Sequence, residues 1–249
     1  MKKSSLWLLC AFFVTFSFPI ITVFTLSFLH KNALSISQYT TLLSNENLLM
    51  RFGNSVIISL GTLFLQIPLG ICGGIFLERS KGIQKQIWLV SLLVMLLLPF
   101  QSYMLPIFLL FRKIGLYNTH LGLILQGAFS PLGSLLMYAF MRTIPEEQWE
   151  AAQLDTSSFI RILVNVILPQ IRSAVLMLTA LVFAEAWNMV EPAIILIAND
   201  KLLPISTSLN DLQAVSWAGA AVYCLPVVVL YVITHSVTQS FWSRSDFMI

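Results

Sequence analysis

Apolar residues in this chain gather into six long runs, at about 5–29, 53–77, 87–111, 120–141, 170–198 and 218–240. Each is long enough to cross a bilayer as a helix, which takes about 20 mostly apolar residues. None alternates apolar and polar positions as the strands of a membrane barrel do, so helices are the expected spans. The links differ in character. Residues 30–52 are polar with a few apolar positions, 78–86 are short and basic, 112–119 are turn-like, and 199–217 hold Asn199, Asp200, Pro204 and Asp211. There is no long linker, short-period repeat or low-complexity segment. The pattern predicts one all-α polytopic membrane domain over residues 1–249, with six transmembrane helices.

The link over 142–169 departs from the rest. Glu146, Glu147, Glu150 and Asp155, four of the eleven acids, fall within ten residues there. Pro145 suits the first turn of a helix, where its missing N–H costs nothing. Glu146 and Glu147 then sit where the helix dipole favours negative charge. A short helix over about 145–154 follows, with Trp149, Ala152 and Gln153 toward one side. The run Asp155, Thr156, Ser157, Ser158 favours turns and N-caps. Beyond it, Phe159, Ile162, Leu163, Val166 and Ile167 recur at helical spacing, with Arg161 and Asn165 on the opposite face. Pro169 marks a break before the fifth span. Two short helices meeting at a turn, projecting from the membrane, suit either a docking partner or a solvated loop.

Composition sharpens the class. The chain is 57% hydrophobic and 10% charged, with a mean hydropathy of +0.85. Soluble chains carry about a quarter charged residues, so lipid is the main solvent here. The N-terminal run from Leu6 to Leu29 exceeds a signal-peptide core of about 7–15 residues and lacks a small-residue cleavage site, which predicts a retained first span. With the N-terminus inside, Lys2, Lys3, Arg79, Lys81, Lys85, Arg142, Arg161, Arg172 and Arg244 face the cytoplasm. Lys31, Arg51, Arg112, Lys113 and Lys201 face outward. Nine of the fourteen cations against five place both termini inside. A net charge of +3 gives no support to a nucleic-acid partner.

Candidate chemistry is sparse. Cys10, Cys72 and Cys224 lie in apolar runs without metal-ligand spacing, which predicts no disulfide and no metal site. The scattered His30, His120 and His235 give no constellation, and the clustered acids have no partner for acid–base work. No catalytic residue and no cofactor are expected. No GxxxxGK[ST] is present, so any ATP-driven step belongs to a separate polypeptide. Carboxylates at membrane depth are costly and face a cavity or a partner. Glu185, Asn188 and Glu191, spaced i, i+3, i+6, would share about a third of a helix circumference. This stripe is the candidate pathway lining, with the water boundary as the alternative for Glu191. Gly70, Gly73 and Gly74 predict close helix packing, and Pro99, Pro106 and Pro226 predict kinks.

The stretch Glu150-Ala-Ala-Gln-Leu-Asp155, followed by Ile167-Leu-Pro169, resembles the EAA loop of inner-membrane permease subunits of bacterial ABC importers. Asn54–Ser59 resembles the start of that family's transport region. Leu98–Thr119 and Trp187–Asn188 resemble the maltose-type (MalG-like) carbohydrate permeases, and the likeness covers nearly the whole chain. The resemblance implies that Glu150, Ala151, Ala152, Asp155 and Thr156 lie on a coupling helix docked to a cytoplasmic ATPase. The implied partners are a second homologous permease, two ABC ATPase subunits and an extracytoplasmic substrate-binding protein, within the inner membrane. The implied cargo is a sugar or oligosaccharide, with polyamine, glycerol-phosphate or another organic solute as the alternative. A secondary transporter would need matched repeats, and none is evident. Thr156 stands where the family has Gly, and the tail Phe241–Ile249 is short and lacks Gly. Gly would permit a left-handed backbone that β-branched Thr resists.

Overall fold

A computed structural model describes residues 15, 17–30, 33–210 and 217–245. Residues 5–14 of the first predicted span, with Lys2, Lys3 and Cys10, lie outside the described residues, as does Asp211. What remains of that span is helix α1, Ser17–Ser27. The link after it makes a two-residue antiparallel ladder, Leu29–His30 with Ala33–Leu34, and a short helix α2, Ser37–Leu43.

The scaffold is α3, Glu46–Arg79, about 50 Å long at 1.5 Å per residue. It begins seven residues before the predicted run because Asn45 caps it, its side chain accepting from the backbone N–H groups of Asn47 and Leu48. Glu46 in the first turn and Arg79 in the last complement the dipole. A hydrocarbon core is about 30 Å thick, so α3 is longer than the core it would cross.

The third predicted run is not one straight span. It divides into α4, Gly82–Leu97, and α5, Phe100–Lys113, bent by 96° at Leu98–Pro99. Proline at position 99 disfavours a helical conformation for the residue before it, and Leu98 is extended. The fourth run forms α6, His120–Ala128, and α7, Pro131–Met141, with Thr119 capping α6. The link over 142–169 forms α8, Glu146–Asp155, and α9, Phe159–Ile162. A π-helical turn, Leu163–Ile167, and α10, Leu168–Gln170, follow. Pro169 does not break the chain as expected. Leu168 N–H reaches back five residues to Leu163 O, and the 82° bend comes at Ile171.

The fifth run is also divided. Helix α11 covers Arg172–Trp187 and a separate α12 covers Glu191–Leu196. Short 3₁₀ turns at Asp200–Leu202 and Ile205–Asn210 precede α13, Trp217–Ser245. Among the described residues three stretches are long and apolar enough to cross a bilayer, Glu46–Arg79, His120–Met141 and Trp217–Ser236. The two bent pairs raise that number to five if each forms one span. The fold is an all-α polytopic membrane protein.

The close packing expected of the glycines is present. A Cβ on Gly74 would stand 2.6 Å from Met137 Cβ and 2.9 Å from the Met137 carbonyl carbon, so α3 and α7 touch backbone to side chain there. One apolar core joins α3, α7, α8 and α11 through Ile71, Ile75, Met137, Met141, Trp149 and Leu178. A second joins α3, α6 and α12 through Ile58, Leu123 and Leu196. The outer faces stay apolar: Phe64 and Phe76 on α3 are exposed, and α4 buries none of its side chains. That surface suits lipid or a partner's helices.

Candidate functional site

Two regions hold the candidate residues. At one end of α3, helix α8 is pinned to the core by Trp149, which is 5% exposed, and Ala152. The Arg79 guanidinium carbon stands 4.1 Å above the Trp149 ring centroid, tying the last residue of α3 to α8. Glu150, Ala151, Gln153 and Asp155 face outward, as does Leu154 at 88% exposure. Ala152, expected at the docking surface, is turned inward because it shares the face of Trp149 one turn away; Gln153, expected beside it, is exposed. Beyond the turn, Ile162 and Ile167 are buried and Leu163 and Val166 partly so, while Arg161 and Asn165 are exposed, as the periodicity predicts. Phe159 departs from it, at 51% exposure.

Thr156 ends α8 with φ −155° and ψ 139°, an extended conformation natural to a β-branched residue. Its Oγ1 accepts from Ser158 N–H at 3.2 Å, and Ser158 holds the N-cap position of α9. The turn therefore forms without a left-handed residue. Cations collect at the same end: Lys85 Nζ lies 3.4 Å from Glu78 and 5.0 Å over the Tyr138 ring, with Arg142 on that ring at 5.8 Å.

At the opposite end of α3, polar side chains fasten the loop before α13. Asn54 donates to the carbonyls of Lys201 and Leu203 at 2.8 and 3.0 Å. Ser55 Oγ accepts from Ile205 N–H at 2.8 Å, and Arg51 donates to Ser208 at 2.9 Å. Asn118, at φ 60°, accepts from the N–H groups of Ala198 and Asn199. Sequence reasoning noticed Asn54 and Ser55 only through a resemblance; their polarity at the mouth of an apolar run was the available physical signal.

Between the ends lies a cavity of about 880 Å³ bounded by α4, α5, α6, α11 and α12. Glu185, Asn188 and Glu191 all line it, but not as one helical stripe. Helix α11 stops at Trp187, Asn188 has left helical geometry, and Glu191 opens α12. The stop has a local cause, Pro192, which lacks the N–H that would bond the Asn188 carbonyl and crowds that carbonyl, and a tertiary one. Trp187, fully buried and stacked on Phe183, donates its indole N–H to Tyr223 O at 3.1 Å. Asn188 Oδ1 accepts from the Tyr223 hydroxyl, and its amide donates to Ala184 O at 2.7 Å. Gln101 on α5 donates its amide to both oxygens of Glu191, at 3.0 and 2.8 Å. Tyr103, Gln126 and Ser130 also line the cavity. They were not anticipated, although each is a polar residue inside an apolar run. His120 has a structural role, its Nε2 lying 3.0 Å from Leu202 O. Among the described residues no group of three or more His, Cys, Asp or Glu side chains is arranged to hold a metal ion.

Comparison with known proteins agrees with this architecture. The chain is 28% identical over 218 residues to the probable starch degradation products transport system permease protein AmyC of Thermoanaerobacterium thermosulfurigenes. That match spans 84% of this chain and 79% of the relative. It is 27% identical over 188 residues to the arabinooligosaccharides transport system permease protein AraQ of Halalkalibacterium halodurans, spanning 73% and 67% of the two chains. Its fold matches a crystal structure of a bacterial ABC transporter involved in import of the acidic polysaccharide alginate, with a TM-score of 0.79 at 19% identity, covering 94% of each chain. Residues 70–244, more than half of the chain, match the family described as binding-protein-dependent transport system inner membrane component, and the chain belongs to that family.

Proposed function

We propose that this permease subunit imports a sugar or oligosaccharide, with ATP hydrolysed by a separate ABC ATPase docked on α8. The observation that carries the reading is α8 itself. It is a short acidic helix whose inner face, Trp149 and Ala152, is locked to the bundle core while Glu150, Ala151 and Asp155 stand free. A helix gripped on one side and bare on the other suits the transmission of force from a soluble partner. The cations Arg79, Lys85 and Arg142 beside it support a cytoplasmic position for this end and for both termini.

On this reading residues 1–249 form one transmembrane domain. It pairs with a second homologous permease and two ATPase subunits, and a substrate-binding protein delivers cargo to the end held by Arg51, Asn54 and Ser55. Closure of the ATPases moves the docked helices, and the cavity holding Glu185, Asn188 and Glu191 alternates between the two sides as the bundles rock. The carbohydrate cargo rests on relatives described as transporting arabinooligosaccharides and starch degradation products.

The test is Glu150→Lys. The side chain is exposed, so the charge reversal should leave membrane insertion intact while the ATPase no longer co-purifies. Undiminished co-purification would remove α8 from the coupling role.

A further inference from the structure

We propose that the cavity between α5, α6 and α11 is a subsite for solutes rich in hydrogen-bond donors and free of negative charge, neutral or amino-bearing glycosides, with Glu185 setting that preference. The inference rests on the transport reading above and adds the class of solute. Its volume of about 880 Å³ falls within the range of about 300–1,000 Å³ usual for small-molecule sites.

The polar groups of the cavity divide by role. Asn188 is occupied: its oxygen takes the Tyr223 hydroxyl and its amide the Ala184 carbonyl, so it braces the wall. Glu191 accepts from Gln101, a neutral amide that leaves the negative charge uncompensated. Glu185 has no hydrogen-bond or ion-pair partner among the described residues, and no Lys or Arg lines the cavity. Gln126 lines the same space, but its Oε1 is buried within the wall and offers the cavity no acceptor. The cavity therefore holds one unpartnered carboxylate, Glu185, a second, Glu191, held only by a neutral amide, and the hydroxyls of Tyr103 and Ser130, with no cation among the described lining residues.

A ligand that satisfies acceptors must donate, and leaving a buried acceptor unmet costs about 1–3 kcal/mol. Sugar hydroxyls and ammonium groups donate. A uronate or phosphate offers more acceptors and meets two like charges in a site of reduced dielectric. The walls add Phe100, Tyr103 and Phe129, flat faces suited to the C–H faces of a sugar ring. The fold shared with an alginate importer thus does not bring anionic cargo with it.

The test uses the full chain in membranes, with Cys10, Cys72 and Cys224 replaced by Ala and one reporter, Ser130→Cys, in the cavity wall. Met95→Cys, also lining the cavity and exposed, repeats the measurement should the first variant fold poorly. Labelling rates for cationic and anionic methanethiosulfonates are normalised to a free thiol. The cationic reagent should react at least about tenfold faster, as expected for a cleft lined by one sign of charge. Glu185→Gln and Glu191→Gln should each shrink that ratio. Maltose and a glucosamine disaccharide should slow labelling, digalacturonate should not, and Glu185→Gln should abolish the protection. Greater protection by the glucosamine disaccharide would assign ammonium recognition, and equal protection would assign the hydroxyls. A ratio near unity that ignores both substitutions overturns the proposal. So does equal protection by digalacturonate, or none by either non-anionic disaccharide. No readout needs an ATPase, so failed co-purification would count against the importer reading alone.

Discussion

Replacing Arg79 with Gln should loosen α8 without disturbing α11. The guanidinium sits 4.1 Å over the Trp149 ring, and Trp149 is otherwise buried among Ile71, Ile75, Met141 and Ile162. A cation–π contact contributes about 0.5–1 kcal/mol where the cation is exposed and about 2 kcal/mol where it is desolvated. Arg79 is exposed, so the lower figure applies. Glutamine keeps part of the stem but removes the charge. It also removes the cation from the last turn of α3, a separate loss of about 0.3–1 kcal/mol that falls on α3 rather than α8.

Hydrogen exchange of the full chain in lipid nanodiscs separates the two effects. Losing about 1 kcal/mol of local stability speeds exchange roughly fivefold where amides exchange through local opening. That acceleration should appear across residues 146–155 and not across 172–187. Arg79→Lys should restore most of the protection. Trp149→Leu should cost more, about 3 kcal/mol, because a buried aromatic ring is lost. Combined with Arg79→Gln it should show a coupling energy of about 0.5–1 kcal/mol. Unchanged exchange in α8, or an equal rise in α11, would refute the clamp.

Other outcomes follow from the packing of α3. Gly74→Ala places a Cβ against Met137 and the Tyr138 backbone and should lower the thermal midpoint, at a cost of about 1–3 kcal/mol. Gly53→Ala, with nothing within 4 Å of the added atom, should raise the midpoint by the equivalent of about 0.5–1 kcal/mol. Gln66 is 1% exposed with an unpartnered Nε2, so Gln66→Met should stabilise by about 1 kcal/mol; a lower midpoint in a thermal melt would reveal a hidden partner. Asn54→Ala removes two hydrogen bonds to the loop carbonyls of Lys201 and Leu203, and limited proteolysis should then cut faster within residues 200–208.

How much of this was legible depends on whether a feature is local. The bounds of α8 and the buried face beyond it followed from caps, dipole and periodicity, which act within a few residues. Direction was less so. Pro99 marked a kink, but an apolar count over 87–111 does not register that Leu98–Pro99 turns the chain by 96°, and nothing in the identity of Ile171 announces the 82° bend there. The end of α11 was hidden in part. Pro192 is a local signal, since it denies the Asn188 carbonyl its helical donor, but Trp187 and Asn188 are also held by Tyr223, 36 and 35 residues away. Glu185, Asn188 and Glu191 therefore share a cavity across a break that Pro192 and Tyr223 make together, not because one helix aligns them. Thr156 carries the same lesson at short range. Its β-branch argues against a left-handed turn, and the chain resolves the conflict by needing none. The backbone stays extended, and Oγ1 takes the Ser158 N–H that would otherwise be one of the orphan donors near the start of α9. Glycine there would lack that acceptor and widen the choice of turn geometries, so the fixed angle between α8 and α9 depends on the residue that first looked out of place.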